Sequence, residues 1–390
     1  MAHASTGNNS SLTYGGRIGD TGSYNATNNR DLYLKLFSGE MFKGFQHNAI
    51  ARDLVMKRTL KNGKSLQFIY TGHTTAEYHT PGTSILGNSD SSPPVAAKTI
   101  TVDDLLISSA FVYELDETLA HYELRGEISK KIGYALAQKY DRFIFRAITR
   151  GARKAHPISK ANFVEPGGTQ IQVGAGSNAD DALNAQKLVT AFYDAAAALD
   201  EKGVSQEGRV GVLNPRQYYS LIQEVGENGL INRDEQGTAR QKGNGIVEIA
   251  GIKIYKSMNI PFFSKYGTKY APSSGASAAT DLDTVDPGNT GSFVAESIEA
   301  GTAATSNNYG VRNNYGAANA FANSCGLIFQ KEGAGVVEAI GPQVQVTSGD
   351  VSVVYQGDVI LGRLAMGADY LNPAACVELF AGVTTKPTAF

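Results

Sequence analysis

Ser65, Gln67, Ile69 and Thr71 alternate with Leu66, Phe68 and Tyr70, and this period of two predicts a β-strand punctuated by Gly63 and Gly72. Lys98 to Ile107 predicts the returning strand of a hairpin. Between them, Tyr78-His79-Thr80-Pro81-Gly82 and a Ser, Asn, Gly and Pro run ending at Pro93-Pro94 have the composition of turns and open loop. A two-stranded ribbon is marginal in water by itself. Nothing within Met56–Leu115 supplies a surface to bury it, so support from another copy of the chain is expected. From Phe111 to Lys154 the stride changes. Ile128, Ile132, Leu136, Tyr140, Phe143 and Ala147 recur at steps of four and three, predicting a long helix over about Asp116–Arg150, roughly 50 Å at 1.5 Å per residue. Glu114, Asp116, Glu117, Glu123 and Glu127 crowd its start and Arg142, Arg146, Arg150, Arg153 and Lys154 its end, which suits the helix macrodipole. Gly126 and Gly133 inside it are read first as sites of close backbone packing and second as bending points.

Further along, Ala185, Leu188, Val189, Phe192, Ala196 and Leu199 form one apolar helix face, with Asp180-Asp181 as expected caps and Gly203 as the stop. A strand over Arg209–Leu213 then meets Asn214-Pro215, where Asn as cap and Pro at the first helical position open a helix with Tyr218, Leu221, Ile222 and Val225 inward. Strand alternating with helix predicts a mixed α/β sub-domain. From Tyr266 to Asn319 the chain is Ser, Ala, Gly, Thr and Asn with few large apolar residues, which reads as a surface insertion unable to build a core.

At 390 residues, of which 42% are hydrophobic, the chain can bury a real core and is long enough for two sub-domains. The formal charge of -2 is near neutral, and residues 1 to 30 carry only Arg17 and Arg30 against Asp20. Condensing nucleic acid by phosphate neutralisation needs a basic arm, and this one is polar instead. Met1-Ala2-His3-Ala4-Ser5 lacks the pattern of a secretion signal and no apolar run approaches membrane-spanning length, so a cytoplasmic setting is expected. Cys325 and Cys376, the only cysteines, are read as buried free thiols. No cofactor or metal is expected. Gly63-Lys64-Ser65 lacks the phosphate-loop glycine, since Arg58 stands five residues earlier. Gly174-Ala175-Gly176 has Ala179 at the third fingerprint position, and His121-Tyr122-Glu123 has no second histidine four residues on. His73 and His79 are read as solvated or interface residues, and no nucleophile, base and orienting group stand at recognisable spacing.

One ordered set of segments carries a family resemblance. Leu32-Tyr33-Leu34-Lys35-Leu36-Phe37-Ser38-Gly39-Glu40, Gly63-Lys64-Ser65-Leu66-Gln67-Phe68, Tyr78 before Pro81-Gly82, Ile100-Thr101-Val102-Asp103, and Ala120-His121-Tyr122-Glu123-Leu124-Arg125 come first. Gly251-Ile252-Lys253-Ile254-Tyr255 and Ala365-Met366-Gly367 with Asn372-Pro373 follow. Together they resemble the major capsid proteins of short-tailed (podovirus, autographivirus-type) double-stranded DNA phages.

The resemblance implies an α+β chain with the tailed-phage and herpesvirus major capsid fold (Hong-Kong-ninety-seven type). Its parts would be an N-terminal arm (1–55), an extended β-hairpin loop (56–107), a peripheral domain with a long spine helix (108–179), an axial domain (180–326) bearing the insertion at about 266–319, and C-terminal strands (327–390) returning to the peripheral domain. It implies hexamers and pentamers of the chain closing into an icosahedral head around double-stranded DNA, contacted weakly and non-specifically, through a scaffolded procapsid that expands. Scaffolding protein, a portal protein at one vertex and a decoration protein would be partners, and no membrane. Charge alone pairs Lys57, Arg58, Lys61, Lys64 and Lys98 on the loop with Glu117, Glu123 and Glu127 at the start of a neighbour's spine helix. Gly126 and Gly133 would then be where that helix bends. Covalent cross-linking through a loop lysine is not expected. An encapsulin-like cargo shell and, from another class, a soluble α/β enzyme stay open as alternatives.

Overall fold

The computed structural model describes residues 50–73, 78–82, 93–102, 105–113, 124–156, 159–160, 163–176, 178–223, 248–257, 259–260, 324–346 and 356–387. The chain divides into two compact units. The smaller is built from Asp104–Gln138 and Ile340–Ala365, the larger from Ala49–Asp103, Lys139–Ala339 and Met366–Phe390.

In chain order the larger unit begins with a single helical turn, α1 (Ala51–Leu54), and strand β1 (Met56–Thr59). The hairpin follows as β2 (Ser65–Thr71) and β3 (Val95–Thr101), paired antiparallel from Ser65↔Thr101 to Thr71↔Val95. The expected return strand Lys98–Ile107 is therefore two strands. β3 ends at Thr101, and β4 (Leu106–Tyr113) belongs to the smaller unit. The long helix α2 runs from Leu124 to Ala152, 29 residues or about 43 Å. Phe111–Tyr113, placed at the head of the helical pattern by sequence, are strand, because an aromatic and β-branched run is more at home on a pleated sheet. Residues 114–123, and Glu117 and Glu123 with them, lie outside the described residues.

In the smaller unit β4 pairs antiparallel with the first part of β13 (Gly357–Tyr370), from Tyr113↔Gly357 to Leu106↔Leu364. Ile128, Ile132 and Leu136 on the first turns of α2 pack on Leu106, Ala110, Val112 and Ile360 of these strands. Gly362 permits the approach, since a Cβ there would overlap Ile132 and Leu136. Gly133 does not play this part. A Cβ on it would meet nothing within 4 Å. Gly133→Ala is accordingly expected to raise subunit stability by up to about 1 kcal/mol, read as a higher thermal midpoint; a lower one would restore the close-packing reading.

After the short antiparallel pair β5 (Ser159–Lys160) and β6 (Phe163–Val164), the core of the larger unit is a six-stranded sheet of β7 (Thr169–Gln172), β14 (Cys376–Phe380), β11 (Ser324–Gln330), β8 (Arg209–Leu213), β10 (Ile252–Lys256) and β9 (Glu248–Ile249), in that spatial order. All residues of β8 and β14 are buried, the apolar ones of Val210–Leu213 and Val377, Leu379 and Phe380 together with the charged Arg209 and Glu378. The stretch expected to leave the axial region thus contributes β11 and β14 to the same sheet as β8. Two helices pack here as predicted, α3 (Ala185–Glu201) and α4 (Pro215–Gln223). Their caps differ from expectation. Asn184 Oδ1 accepts from the amides of Gln186 and Lys187, while Asp180 and Asp181 fall in the preceding 3-10 turn. At α4 the side chain of Gln217 reaches back to the Asn214 amide, at 3.0 Å, in place of an Asn214 side-chain cap. Val225 and the insertion at 266–319 lie outside the described residues. Cys325 and Cys376 are buried and free, and burial pushes both thiols up, Cys376 to about 12.

Candidate functional site

The hairpin is braced on one face by its own chain. Leu66, Phe68 and Tyr70 share that face with Ala96, Lys98 and Ile100. Ile100 is fully buried, near Gly335 of β12 (Ala334–Val346). Lys98 Nζ sits 3.0 Å from Asp369 Oδ2 and 3.9 Å above the Tyr370 ring. At the far end, buried Glu165 accepts from the His73 amide at 2.8 Å and contacts His73 Nδ1 at 2.7 Å and the Tyr70 hydroxyl at 3.4 Å. The Tyr70 ring lies 4.6 Å from that of His156, whose burial pushes its imidazole below the usual value. The expectation that support comes from another copy of the chain is corrected for this face, which distant parts of the same chain support. These contacts link it to residues as far away in sequence as Tyr370, and the alternation of the segment carries no record of them.

The other face is different in kind. Ser65, Gln67, Ile69 and Thr71 lie beside Thr101, Thr99, Ala97 and Val95, with no charge among them. Ile69, opposite Ala97, is 73% exposed and Val95, opposite Thr71, 63%, so the two are diagonal neighbours across the strands. This face is uncharged, partly apolar and open to solvent in the subunit. Tyr78 near the tip is fully exposed.

A second construction fixes the root of the loop. β1 pairs parallel with β12, Met56↔Gly335 to Thr59↔Glu338. Glu338, 2% exposed, receives Arg52 as a two-point fork (3.0 and 3.1 Å), Lys57 Nζ at 2.8 Å and the Tyr140 hydroxyl at 2.7 Å. Burial alone would raise this carboxyl; the hydrogen bonds from Arg52, Lys57 and Tyr140 outweigh it and hold it below the usual range. One turn of chain away, the carboxylate of Asp141 accepts from the amides of Ile50 (2.9 Å) and Ala51 (3.0 Å) and from Asn259 Nδ2 (3.3 Å). Here desolvation wins, and the Asp141 carboxyl rises to about 6.

Of the residues singled out by charge, Lys57 and Lys98 are held within the subunit by Glu338 and Asp369. Arg58, Lys61 and Lys64 are exposed. Glu127, expected as an exposed acceptor, is buried, and its Oε1 has no hydrogen-bond partner among the described residues. Gly126 and Gly133 are both half-buried in α2. Sequence reasoning missed Asp141, Glu338, Glu165 and Glu378. The available signal was a lone acid inside an apolar run, as in Val336-Val337-Glu338 and Val377-Glu378-Leu379, since such a group is buried only with partners.

Comparison with solved structures places the architecture among tailed-phage capsid subunits. The chain is similar to the capsid structure of cyanophage P-SCSP1u at 28% identity and a TM-score of 0.64, covering 95% of this chain and 99% of that one. It shares its fold with the bacteriophage PhiM1 mature capsid at 15% identity and a TM-score of 0.59, over 92% and 94% of the two chains. Residues 67–304, more than half of the sequence, match the Gp10A-like family described as major capsid protein, and the chain belongs to that family. It is 27% identical over 228 residues to the major capsid protein of Escherichia phage T7, and 26% identical over 227 residues to that of Enterobacteria phage T3. Each alignment covers 56% of this chain and 65% of the relative, so the match spans just under two thirds of these proteins.

Proposed function

We propose that this chain is the repeating subunit of a phage head, assembling through hexamers and pentamers into a closed icosahedral shell that encloses double-stranded DNA. Membership of a major capsid protein family supports the reading. The observation that carries it is the hairpin, braced on one face by its own subunit and presenting Ile69 and Val95 on the other. In this reading residues 56–107 are an extended loop lying over the peripheral domain of the next subunit, and α2 is the spine helix. The six-stranded sheet belongs to the axial domain. Contacts that are heterologous and close into rings need only modest strength each, because a shell sums many of them.

Arg58, Lys61 and Lys64 are the loop cations proposed to reach a neighbour, with Glu117 and Glu123 as acceptors; Glu127 is buried in its own subunit and is withdrawn from that role. Lys57 and Lys98 would have to exchange Glu338 and Asp369 for partners across the interface. A scaffolded procapsid that expands, with α2 bending at Gly126 and Gly133, and portal, scaffolding and decoration proteins as partners, belong to the same proposal. The near-neutral charge favours a shell assembled by protein contacts and filled afterwards. An enzyme reading has no support from the family, and the encapsulin-like reading differs in its cargo.

Negative-stain electron microscopy of the chain expressed alone and with a candidate scaffolding protein tests the proposal. Closed polyhedral shells, or curved sheets corrected by the scaffold, are expected; small discrete oligomers under both conditions would sink it. Ile69→Asp with Val95→Asp should cut the yield of closed shells severalfold while leaving subunit stability within about 0.5 kcal/mol, since both positions are exposed in the subunit. Normal shells from this variant would remove the hairpin face from the interface.

A further inference from the structure

We infer that Asn62-Gly63, in the turn between β1 and β2, is a site of spontaneous deamidation, and that the reaction loosens the root of the hairpin. Asparagine is a thermolabile residue because the amide nitrogen of the residue after it can attack its side-chain carbonyl and close a five-membered imide. The attack is easiest where that next residue is glycine, with no side chain to obstruct it and a backbone free to turn. Among the described residues Asn62 is the asparagine so placed. Asn178 and Asn184 precede alanine, and Asn259 is buried ahead of Ile260. Asn214 and Asn372 precede prolines, whose nitrogen carries no hydrogen to give up.

The fold leaves this pair open to the reaction. Asn62 and Gly63 are both exposed, and neither makes a hydrogen bond among the described residues. Gly63 stands at φ +98°, and a Cβ built on it would meet nothing within 4 Å, so no neighbouring group crowds the turn. Elsewhere the side-chain amide is engaged. Asn184 Oδ1 accepts from Gln186 and Lys187, and Asn178 Nδ2 donates to Asp181.

In the step itself the Gly63 nitrogen bonds to Asn62 Cγ, the Cγ–Nδ2 bond breaks, and Nδ2 leaves as ammonia with the proton that the glycine amide gives up. Water then opens the imide at either carbonyl. One opening leaves an aspartyl residue at position 62; the other leaves an isoaspartyl residue, whose backbone passes through the side chain and is one carbon longer. Both put a negative charge beside the exposed Lys61 and Lys64 and near Arg58. The turn is tied at each end. The Leu60 amide donates to the Glu338 carbonyl and the Val102 amide to the Lys64 carbonyl, both at 2.8 Å. Arg52, Lys57 and Tyr140 hold Glu338 in place, so a lengthened turn acts on the Val102–Lys64 bond, which closes the hairpin beside the pair Ser65↔Thr101. In the proposed shell the same change would alter the cations offered to a neighbour; that consequence rests on the shell reading, whereas the chemistry does not.

Peptide mapping by mass spectrometry of the full-length subunit, aged in warm, mildly alkaline buffer, tests the site whether or not the chain builds shells. Most of the peptide carrying Lys61–Lys64 should gain the mass of an amide-to-acid exchange and separate into two species of equal mass, while those carrying Asn178, Asn184 and Asn372 stay unchanged. Asn228-Gly229 and Asn244-Gly245 lie outside the described residues, so the reading is taken peptide by peptide. Hydrogen-exchange protection of the Val102 amide should fall severalfold in the aged chain. It should hold in aged Asn62→Gln, whose longer side chain cannot close the five-membered ring, and in freshly purified Asn62→Asp, which has the charge without the extra carbon. An Asn62 peptide that survives ageing unchanged, or converts no faster than those of Asn178 and Asn184, overturns the site. Val102 protection that ageing leaves intact overturns the loosening.

Discussion

Replacing Arg153 by alanine is expected to destabilise the folded subunit by about 3–5 kcal/mol. Arg153 follows the last turn of α2, and its guanidinium forks onto Glu378 at 2.8 and 2.5 Å. Both side chains are essentially inaccessible, at 1% and 0%. Glu378 occupies the middle of β14, a strand buried on both faces, where water cannot replace a lost partner. After the substitution Gln170 Nε2, at 2.9 Å, would be the side-chain donor left to the carboxylate among the described residues, and that amide also serves the Pro387 carbonyl at 2.8 Å. A loss of this size is a large share of the 5–15 kcal/mol typical of a domain. Arg153→Lys should recover only part of it, because an ammonium cannot reproduce the planar fork. Arg153→Met combined with Glu378→Leu should be far milder than Arg153→Ala alone, since no charge is then stranded. Urea unfolding midpoints of the three variants decide it. A single substitution as mild as the double one would mean that water reaches Glu378.

Removing the Glu338 carboxylate ranks second, at about 2–4 kcal/mol. Its two cations are half-exposed and can turn to water, but the Tyr140 hydroxyl is buried and would be left without an acceptor, which by itself is worth about 1–3 kcal/mol. The loss should be local first, loosening β1 from β12 before the six-stranded sheet responds. Acid should imitate it. Glu338 titrates below its ordinary 4.5, so its contribution is complete above that value and is lost as pH falls through the depressed one. Glu338→Gln should therefore be less stable than the native chain at pH 7, with the gap narrowing toward pH 3 in thermal melts. A constant gap would assign the stability to packing instead.

What could be read from sequence was what is local. The stride Ile132, Leu136, Tyr140, Phe143, Ala147 marks residues that are all buried on α2, and the alternation Ser65–Thr71 gave β2 its true bounds. Pro215 opens α4 because its missing amide hydrogen is not needed there. Pairing was not legible. β1 finds β12 across some 280 residues, and β4 leaves the hairpin for β13 although its alternation continues that of β3. A period of two records that a strand exists and is silent about its neighbour. The ordered motifs Gly63–Phe68 and Ile100–Asp103 did indicate the family, yet the acids that fix the fold's joints escaped notice. Each is a single residue whose partners come from distant segments.

The bracing of the hairpin changes what assembly has to accomplish. Fixing a backbone costs about 1–2 kcal/mol of conformational entropy per residue, and β2 and β3 each have seven. Because Lys98, Tyr70, His73 and Ile100 hold the ribbon to its own subunit, that ordering is completed when the chain folds. In the proposed shell, an incoming neighbour would meet a strand pair already in register and would not have to order it. If each such contact is weak, as proposed, contacts would be reversible one at a time, and a misplaced subunit could leave before its ring closes around it.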